Sequence, residues 1–148
     1  MIIRSARPDD VDQLMDLYMN HLTSYPPQEV QVRSLWQERI RDLVKRQDYH
    51  LLVGEVEGVL VASLTLVIIP NLTHNLRPYS VMENVVTHRD YRNLGYASGL
   101  ISHARTIAQE AKCYKIMLMT GSKRESTLNF YRKNGFTIGE KTACLSRL

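Results

Sequence analysis

Two periods of apolar residues divide the chain. In residues 11–22 and 32–44 apolar side chains recur every three or four positions, which predicts two amphipathic helices. Pro8 favours the start of the first helix, although none of the residues that commonly cap a helix precedes it. Residues 2–5 predict a short strand, and a Tyr-Pro-Pro sequence at residues 25–27 separates the two helices.

From residue 49 the period becomes that of strands. Residues 49–55 and 59–68 are rich in β-branched and aliphatic side chains, and Glu57-Gly58 between them predicts a hairpin turn. A polar stretch at residues 70–78 predicts a loop, and residues 79–87 predict a further strand.

The last third of the chain combines both periods. A loop at residues 92–97 opens a third helix, and residues 115–119 predict a short strand buried on both faces. A fourth helix is expected at about residues 125–133, and residues 136–148 predict one or two closing strands. The order β-α-α-β-β-β-α-β-α-β predicts a mixed α/β sheet. The helix between the strands at 79–87 and 115–119 predicts that this pair is parallel.

Composition excludes several classes of protein. The 148 residues, 44% apolar and 23% charged, are typical of one globular domain, which we predict to span residues 1–148. The longest apolar stretch is too short to span a bilayer, and the first residues lack the layout of a signal peptide. We therefore expect no membrane association and a cytoplasmic location. The two cysteines are expected to be free, buried thiols, although the sequence leaves a disulfide open.

The net charge of +4 is compatible with an anionic ligand, but no basic block with interleaved aromatics predicts nucleic-acid binding. The clearest chemical signal lies in residues 85–97, where a strand ends and a turn containing Gly95 begins a helix. Unpaired N–H groups at a helix start form a site for phosphate oxygens. Arg92 would add charge at its rim, Gly95 would let the ligand approach the backbone, and Ala97 keeps the next turn small. Alone, such a glycine also fits an ordinary helix start. Neither a nucleotide-hydrolase P-loop nor a Rossmann glycine motif is present.

Two motifs make the chain resemble the GCN5-related N-acetyltransferase (GNAT) superfamily. Arg92-x-x-Gly95-x-Ala97 resembles the family signature Arg/Gln-x-x-Gly-x-Gly/Ala, whose loop grips the pyrophosphate of acetyl-coenzyme A. Asn129-Phe130-Tyr131-x-x-x-Gly135-Phe136 resembles a later family motif, and the order of elements agrees over the whole chain. Ala97 stands where many members have glycine.

The resemblance implies a GNAT-type acyl-CoA N-acyltransferase fold. This fold has a mostly antiparallel central sheet, a splayed parallel strand pair and about four helices. The pantetheine arm of acetyl-CoA would pair with the backbone of residues 85–87, and an N–H near Val85 or Val86 would polarise the thioester carbonyl. The amine attacks directly, so we expect acetyl-CoA as donor and neither a metal nor a covalent enzyme intermediate.

The resemblance also implies roles for individual side chains. Tyr131 would donate a proton to the departing thiolate, or else is a core aromatic residue. Glu83 would accept a proton from the amine, directly or through water, or else is an ordinary surface carboxylate. The Glu-Asp-Ile-Ala run of glucosamine-6-phosphate acetyltransferases is Glu83-Asn84-Val85-Val86 here, and the missing second acid weakens the transfer of that substrate to this chain. The predicted cofactor-binding residues are Val85, Val86, Thr87, Arg92, Asn93, Leu94, Gly95, Tyr96, Ala97 and Asn129.

Other residues have less specific signals. Lys123 and Arg124 would hold the 3′-phosphate or form an exposed basic turn, and His88 either touches the cofactor or is solvated. The five histidines show no metal spacing. In the family, the acceptor is bound by the first two helices and the loop before the fourth strand. The side chains expected there are Tyr25, Arg33, Trp36, Asn71, His74, Arg77 and Tyr79.

The function that these observations predict is N-acetyl transfer from acetyl-CoA to a small-molecule amine. Two alternatives stay open: a GNAT-fold protein that binds acyl-CoA without turnover, and an acyltransferase that uses a longer acyl group. Homodimers are common in the family, and the exposed edge of the predicted closing strands would allow one. The acceptor itself is not predicted, because acceptor loops vary within one fold.

Overall fold

The computed structural model describes residues 1–22 and 30–147. Its strands are β1 (Ile2–Ser5), β2 (Tyr49–Val56), β3 (Val59–Ile69), β4 (Tyr79–Thr87) and β5 (Ile116–Leu118). Its α-helices are α1 (Val11–Asp16), α2 (Arg33–Leu43), α3 (Tyr96–Glu110) and α4 (Glu125–Lys133). A 3₁₀ turn (Pro8–Asp10) precedes α1, and a second 3₁₀ turn (Arg89–Tyr91) follows β4. The helix α1 continues as a π-helix at Leu17–Leu22, which we call the π segment. The Tyr-Pro-Pro sequence at residues 25–27, with Tyr25 of the predicted acceptor set, lies outside the described residues.

The strands form one sheet in the order β1-β2-β3-β4-β5. β1 to β4 pair antiparallel with their neighbours. β4 and β5 are parallel, and between these two segments the Ser80 N–H donates to the Lys115 carbonyl at 3.0 Å. The mixed α/β sheet with a parallel pair is therefore confirmed. The turn at Glu57-Gly58 is also confirmed, and both residues have the positive φ (51° and 81°) that tight hairpin turns favour.

Helices cover both faces of the sheet. α1 and α2 pack on one face, and α3 packs on β2, β3 and β4. β3 is central and its residues from Leu60 to Leu66 are buried, which explains its continuous apolar run. The core on the α1 side consists of Ala6, Val11, Leu14, Leu17, Ile40, Leu51, Val53, Leu60 and Val86.

The first helix has a cap that the sequence analysis did not predict. The Arg7 N–H donates to Asp10 Oδ2 at 2.7 Å, so the acid at the third helical position satisfies the backbone at the helix start. Arg4 holds this carboxylate at 2.7 Å and reaches Glu55 on β2 at 2.7 Å. The ion pairs thereby join the helix start to β1 and β2.

The chain divides into two compact units, Met1–Met117 and Leu118–Leu148. In the second unit α4 spans the predicted residues, and Gly135 follows its C-terminus with a φ of 79°, as a helix stop requires. The closing strands predicted for residues 136–148 are wrong, because residues 136–147 contain no strand. This segment is largely exposed, so it has no buried face to give it a strand register. Residues 136–147 therefore do not form the strand edge that was expected to allow a dimer.

Two predictions of burial are also wrong. β5 is three residues long and half-buried rather than covered on both faces. Cys113 is half-buried and Cys144 is exposed, although both are free thiols as expected. Among the described residues, no helix has both the length and the apolar character needed to cross a membrane.

Candidate active site

The turn between β4 and α3, residues 88–95, presents an open helix start. Gly95 is the N-cap of α3 with φ 82° and ψ 2°, a left-handed conformation that costs glycine little. Glycine offers no side chain to cap the helix, so the first-turn N–H groups of Tyr96, Ala97 and Ser98 stay available to an anion. A Cβ added at Gly95 would meet no atom within 4 Å, so this space is open.

Two guanidinium groups belong to this turn, and both contact the π segment that follows α1. Arg92 donates to the Thr87 carbonyl at 3.4 Å and to the His21 carbonyl at 3.2 Å. Arg89 donates to the Asn20 carbonyl at 3.4 Å. The carbonyls of Thr87 and His21 therefore hold the Arg92 side chain at the end of β4.

A β-bulge interrupts β4 at Asn84. Glu83 pairs with Thr65 and Val86 pairs with Ser63, so two residues of β4 oppose one residue of β3. Asn84 has a φ of 55°, which asparagine tolerates better than most residues. The bulge changes the alternation of β4, and Glu83 and Val86 now share a face.

That face carries a polar strip, which we define as Tyr18, Ser63, Thr65 and Glu83. The Tyr18 hydroxyl lies 3.1 Å from Ser63 Oγ, and Ser63 donates to the Leu52 carbonyl at 3.0 Å. Burial raises the pKa of Tyr18, so its phenol stays protonated. Thr65 Oγ1 is buried without a hydrogen-bond partner, and its cross-strand neighbour is Glu83, whose side chain is half-buried. A buried hydroxyl of this kind commonly holds a water molecule.

The sequence matches the model of the acetyltransferase (GNAT) family over residues 12–136. This chain belongs to that family. A glucosamine 6-phosphate N-acetyltransferase from Trypanosoma brucei brucei is 30% identical over 141 residues, which cover 94% of this chain and 90% of that protein. The structure of a putative acetyltransferase from Agrobacterium tumefaciens str. C58 is 33% identical and covers 100% of both chains with a TM-score of 0.89. An acetyltransferase structure from Trypanosoma brucei is 28% identical and covers 99% of both chains with a TM-score of 0.78.

GNAT acetyltransferases use acetyl-CoA as the acetyl donor. In this GNAT acetyltransferase the predicted cofactor residues 85–87 lie at the end of β4, and residues 92–97 lie in the β4–α3 turn and the first turn of α3. β5 spans three residues and β4 nine, so β5 as described pairs with only part of β4. The open helix start and this partly paired strand fit a ligand with phosphates at one end and an extended chain at the other.

Tyr131 and Asn129, the remaining predicted site residues, lie in the second unit. The Tyr131 ring packs edge-on against Phe130 and Phe136, with centroids 5.1 and 5.9 Å away. Asn129 Oδ1 accepts a hydrogen bond from Arg132 at 2.7 Å. Lys123 and Arg124 are exposed just before α4. The roles predicted for these four residues stay predictions.

Most of the predicted acceptor residues have partners within the chain. Arg33 pairs with Asp12 at 2.7 Å, and Trp36 packs beside Tyr18 with ring centroids 5.9 Å apart. His74 stacks on Tyr114 at 3.9 Å. In the same loop the Asn71 amide donates to Thr73, and Arg77 donates to the carbonyls of Lys112 and Cys113, just after α3. Tyr79 lies near Tyr114 and Lys115. Their contact with an acceptor stays a prediction.

Sequence reasoning missed three features of this site. It treated Tyr18 as part of an apolar helix face, and Ser63 and Thr65 as interruptions of an apolar stretch. Ser63 and Thr65 are two residues apart on one strand, and this spacing already placed both side chains on the same face of the sheet. The asparagine within a valine-rich strand was the one signal of the bulge. The spacing of histidines did not indicate that Asp16, His21 and His88, from distant segments, have potential ligand atoms within 4.8 Å of one another.

Proposed function

We propose that this protein transfers the acetyl group of acetyl-CoA directly to the primary amine of a small molecule. One observation carries this proposal: the open N-terminus of α3, preceded by left-handed Gly95 and flanked by Arg92, follows directly on a bulged strand. Phosphate recognition and thioester activation both need backbone N–H groups in such an arrangement. The proposal treats residues 1–148 as one working domain.

The turn supplies the phosphate site. The N–H groups of the first turn of α3 and the positive end of its dipole attract a pyrophosphate, and Arg92 adds a full charge. The open space at Gly95 fits phosphate oxygens close to the backbone. Asn93, which has a φ of 63°, gives the turn the curvature that brings successive N–H groups to one side. Lys123 or Arg124 is proposed to hold the 3′-phosphate.

The bulged part of β4 supplies the reacting centre. The extended arm of the donor pairs with the backbone of residues 85–87, in the manner of an added strand. The bulge at Asn84 turns the backbone out of the regular ladder with β3. An N–H of Val85 or Val86 is thereby freed to donate to the thioester carbonyl oxygen as negative charge develops there.

The polar strip supplies the proton acceptor. The amine nitrogen bonds to the acetyl carbon as the carbon–sulfur bond breaks, and the amine must give up one proton. A water held between the Thr65 hydroxyl and the Glu83 carboxylate would accept that proton and pass it to Glu83. The leaving thiolate takes a proton from the phenol of Tyr131, which regains one from solvent. Asn129 is proposed to bind the pantetheine.

The acceptor is proposed to be a small amine bound near the α1 face of β4. The 30% identical relative is named for glucosamine 6-phosphate, which supports testing amino-sugar phosphates first. Asn84 stands where the resemblance leads us to expect a second acid, so other amines belong in the same panel.

Calorimetric titration with acetyl-CoA, followed by thiol release over an amine panel, tests the proposal. We expect micromolar binding and turnover with at least one amine. Glu83→Gln should lower kcat by about 10²-fold or more, because general base catalysis contributes about that factor. Glu57→Gln, on the exposed β2–β3 turn, is the control and should leave kcat unchanged. Binding without turnover over the whole panel would favour the acyl-CoA-binding alternative, and no binding would refute the phosphate site.

A further inference from the structure

His21 connects the first helix to the β4–α3 turn. It lies in the π segment, and its imidazole is only 3% exposed. The ring packs on the ring of His88, the first residue after β4, with ring centroids 4.0 Å apart. Nothing in the proposed chemistry uses His21, yet three hydrogen bonds join the end of the π segment to this turn.

The hydrogen bonds of the ring assign its tautomer. His21 Nδ1 lies 3.0 Å from the backbone N–H of Arg89, which can only donate, so Nδ1 is the acceptor and carries no proton. The proton of the neutral ring is therefore on Nε2, which lies 3.3 Å from Asp16 Oδ2 and donates to it. Asn20 holds the same carboxylate group through its amide at 2.7 Å.

The backbone of the same segment holds the two guanidinium groups. The His21 carbonyl accepts from Arg92 at 3.2 Å, and the Asn20 carbonyl accepts from Arg89 at 3.4 Å. The last carbonyls of a helix carry the negative end of its dipole, so they attract cations. The ring thus fixes the backbone of Arg89, and the carbonyl beside it fixes the side chain of Arg92.

A metal site is the other use for Asp16, His21 and His88, whose potential ligand atoms lie within 4.8 Å. The hydrogen bonds oppose it. Because the lone pair of His21 Nδ1 accepts the Arg89 N–H, Nε2 keeps its proton and has no lone pair for a metal. Metal binding would require this hydrogen bond to break.

We propose that neutral His21 is a positioning residue that holds the β4–α3 turn in the shape that binds the phosphates of the acetyl donor. The inference rests on the proposed function, because it assigns the donor phosphates to this turn. Protonation of His21 would place an Nδ1–H against the Arg89 N–H, so the hydrogen bond would be lost. Donor affinity is then linked to the charge of one buried ring.

The charged groups around the ring favour its neutral form. His88 and Arg89 face it from the turn, and Arg92 lies at its carbonyl. Asp16 faces it from α1, and Asp90 lies beside His88 at 3.8 Å. Burial, followed by the neighbouring His88, lowers the pKa of His21 below its ordinary value of 6.5. His21 is therefore neutral at pH 7.5 and becomes charged only as the pH falls below 6.5.

A pair of amide substitutions tests the proposal. In His21→Asn the amide oxygen occupies the position of Nδ1 and can accept the Arg89 N–H. In His21→Gln the amide reaches the position of Nε2, contacts Asp16, and leaves the Arg89 N–H without an acceptor. Calorimetric titration with acetyl-CoA measures the donor affinity of the wild-type protein and both variants at pH values from 7.5 to 5.5. Phosphate groups titrate in this range too, so the comparison is between proteins at each pH.

We expect His21→Asn to bind within about two-fold of the wild type at pH 7.5, and His21→Gln to bind about three- to ten-fold more weakly, the loss of one hydrogen bond. Towards pH 5.5 the wild type should lose affinity relative to His21→Asn, which has no titrating ring. Equal affinities of the two variants, or equal pH profiles of the wild type and His21→Asn, would overturn the proposal. If the wild type fails to bind acetyl-CoA at all, it is the proposed function that fails.

A second measurement does not depend on the variants folding. In the wild-type protein the amide resonance of Arg89 should shift with the titration of His21, and its hydrogen exchange should accelerate beyond the intrinsic pH trend as His21 is protonated. An Arg89 amide that is insensitive to the His21 titration would contradict the hydrogen bond and the proposal with it.

Discussion

Substituting Gly95 by alanine separates the phosphate site from ordinary backbone strain. Gly95 has a φ of 82°, and a Cβ there would meet no atom within 4 Å. Alanine at such a φ costs about 1 kcal/mol, which corresponds to a loss in melting temperature of about 2–4 °C for a chain of this size. The added methyl group would occupy the space that the proposal assigns to phosphate oxygens. We therefore expect acetyl-CoA affinity to fall by about ten-fold or more, since one lost charge-assisted hydrogen bond already costs about that much.

Gly58 provides a matched control. It has a φ of 81°, and a Cβ there would also meet no atom within 4 Å, but it lies in the β2–β3 turn. Gly58→Ala should lose the same 2–4 °C in thermal melts and bind acetyl-CoA like the wild-type protein. Calorimetric titration of both variants gives the comparison. If both variants bind the donor equally well after equal losses in melting temperature, the glycine serves only the backbone conformation, and the phosphates bind elsewhere.

Four further variants probe the bulge, the polar strip and the cap. Asn84→Gly should keep the bulge and stability within about 1 kcal/mol; Asn84→Val should cost about 1–2 kcal/mol in urea melts and abolish thiol release, and an active, stable valine variant would refute the bulge's role. Thr65→Val should raise stability by about 1 kcal/mol by removing an unpaired buried hydroxyl while lowering kcat, and an unchanged kcat would remove the water between Thr65 and Glu83 from the mechanism. Burial opposes ionisation of Asp10, but the hydrogen bonds from Arg4 and the Arg7 N–H outweigh it and lower its pKa below 3.8. The ionised carboxylate therefore stabilises the folded state above pH 3.8, and this stabilisation is lost as the pH falls through the lower folded-state pKa. Asp10→Asn should therefore be about 1–2 kcal/mol less stable than the wild type at pH 7, with a difference that shrinks below pH 4, and a difference constant with pH would contradict it.

Local sequence signals were reliable where the physics is local. The helical periods predicted α2 and α4 to within one or two residues, and Glu57-Gly58 predicted its turn because few residues adopt positive φ at low cost. The motif around Gly95 predicted an open helix start, since a glycine N-cap cannot satisfy the N–H groups after it. Family membership followed from the same residues.

The wrong predictions concern segments whose structure depends on distant partners. Residues 136–147 were expected to add strands, but a strand needs a neighbour with which to exchange hydrogen bonds, and no strand forms there. The cap of the first helix came from Asp10, which Arg4 holds from β1. Arg4 in turn pairs with Glu55 on β2. No local sequence pattern predicts that Arg4 pairs with both Asp10 and Glu55.

The sequence by itself determined the order of elements from β1 to α4, the mixed sheet and the turn before α3, because periodicity, glycine and helix-end chemistry act over a few residues. Tertiary structure alone decided which side chains meet. The bulge at Asn84 turned Val86 to the face of Glu83, and register set Thr65 beside that carboxylate. Packing of the π segment against the end of β4 brought His21 to the backbone of Arg89, 68 residues away along the chain. Such contacts depend on strand register and on the packing of helices against the sheet, and a short stretch of sequence predicts neither of them.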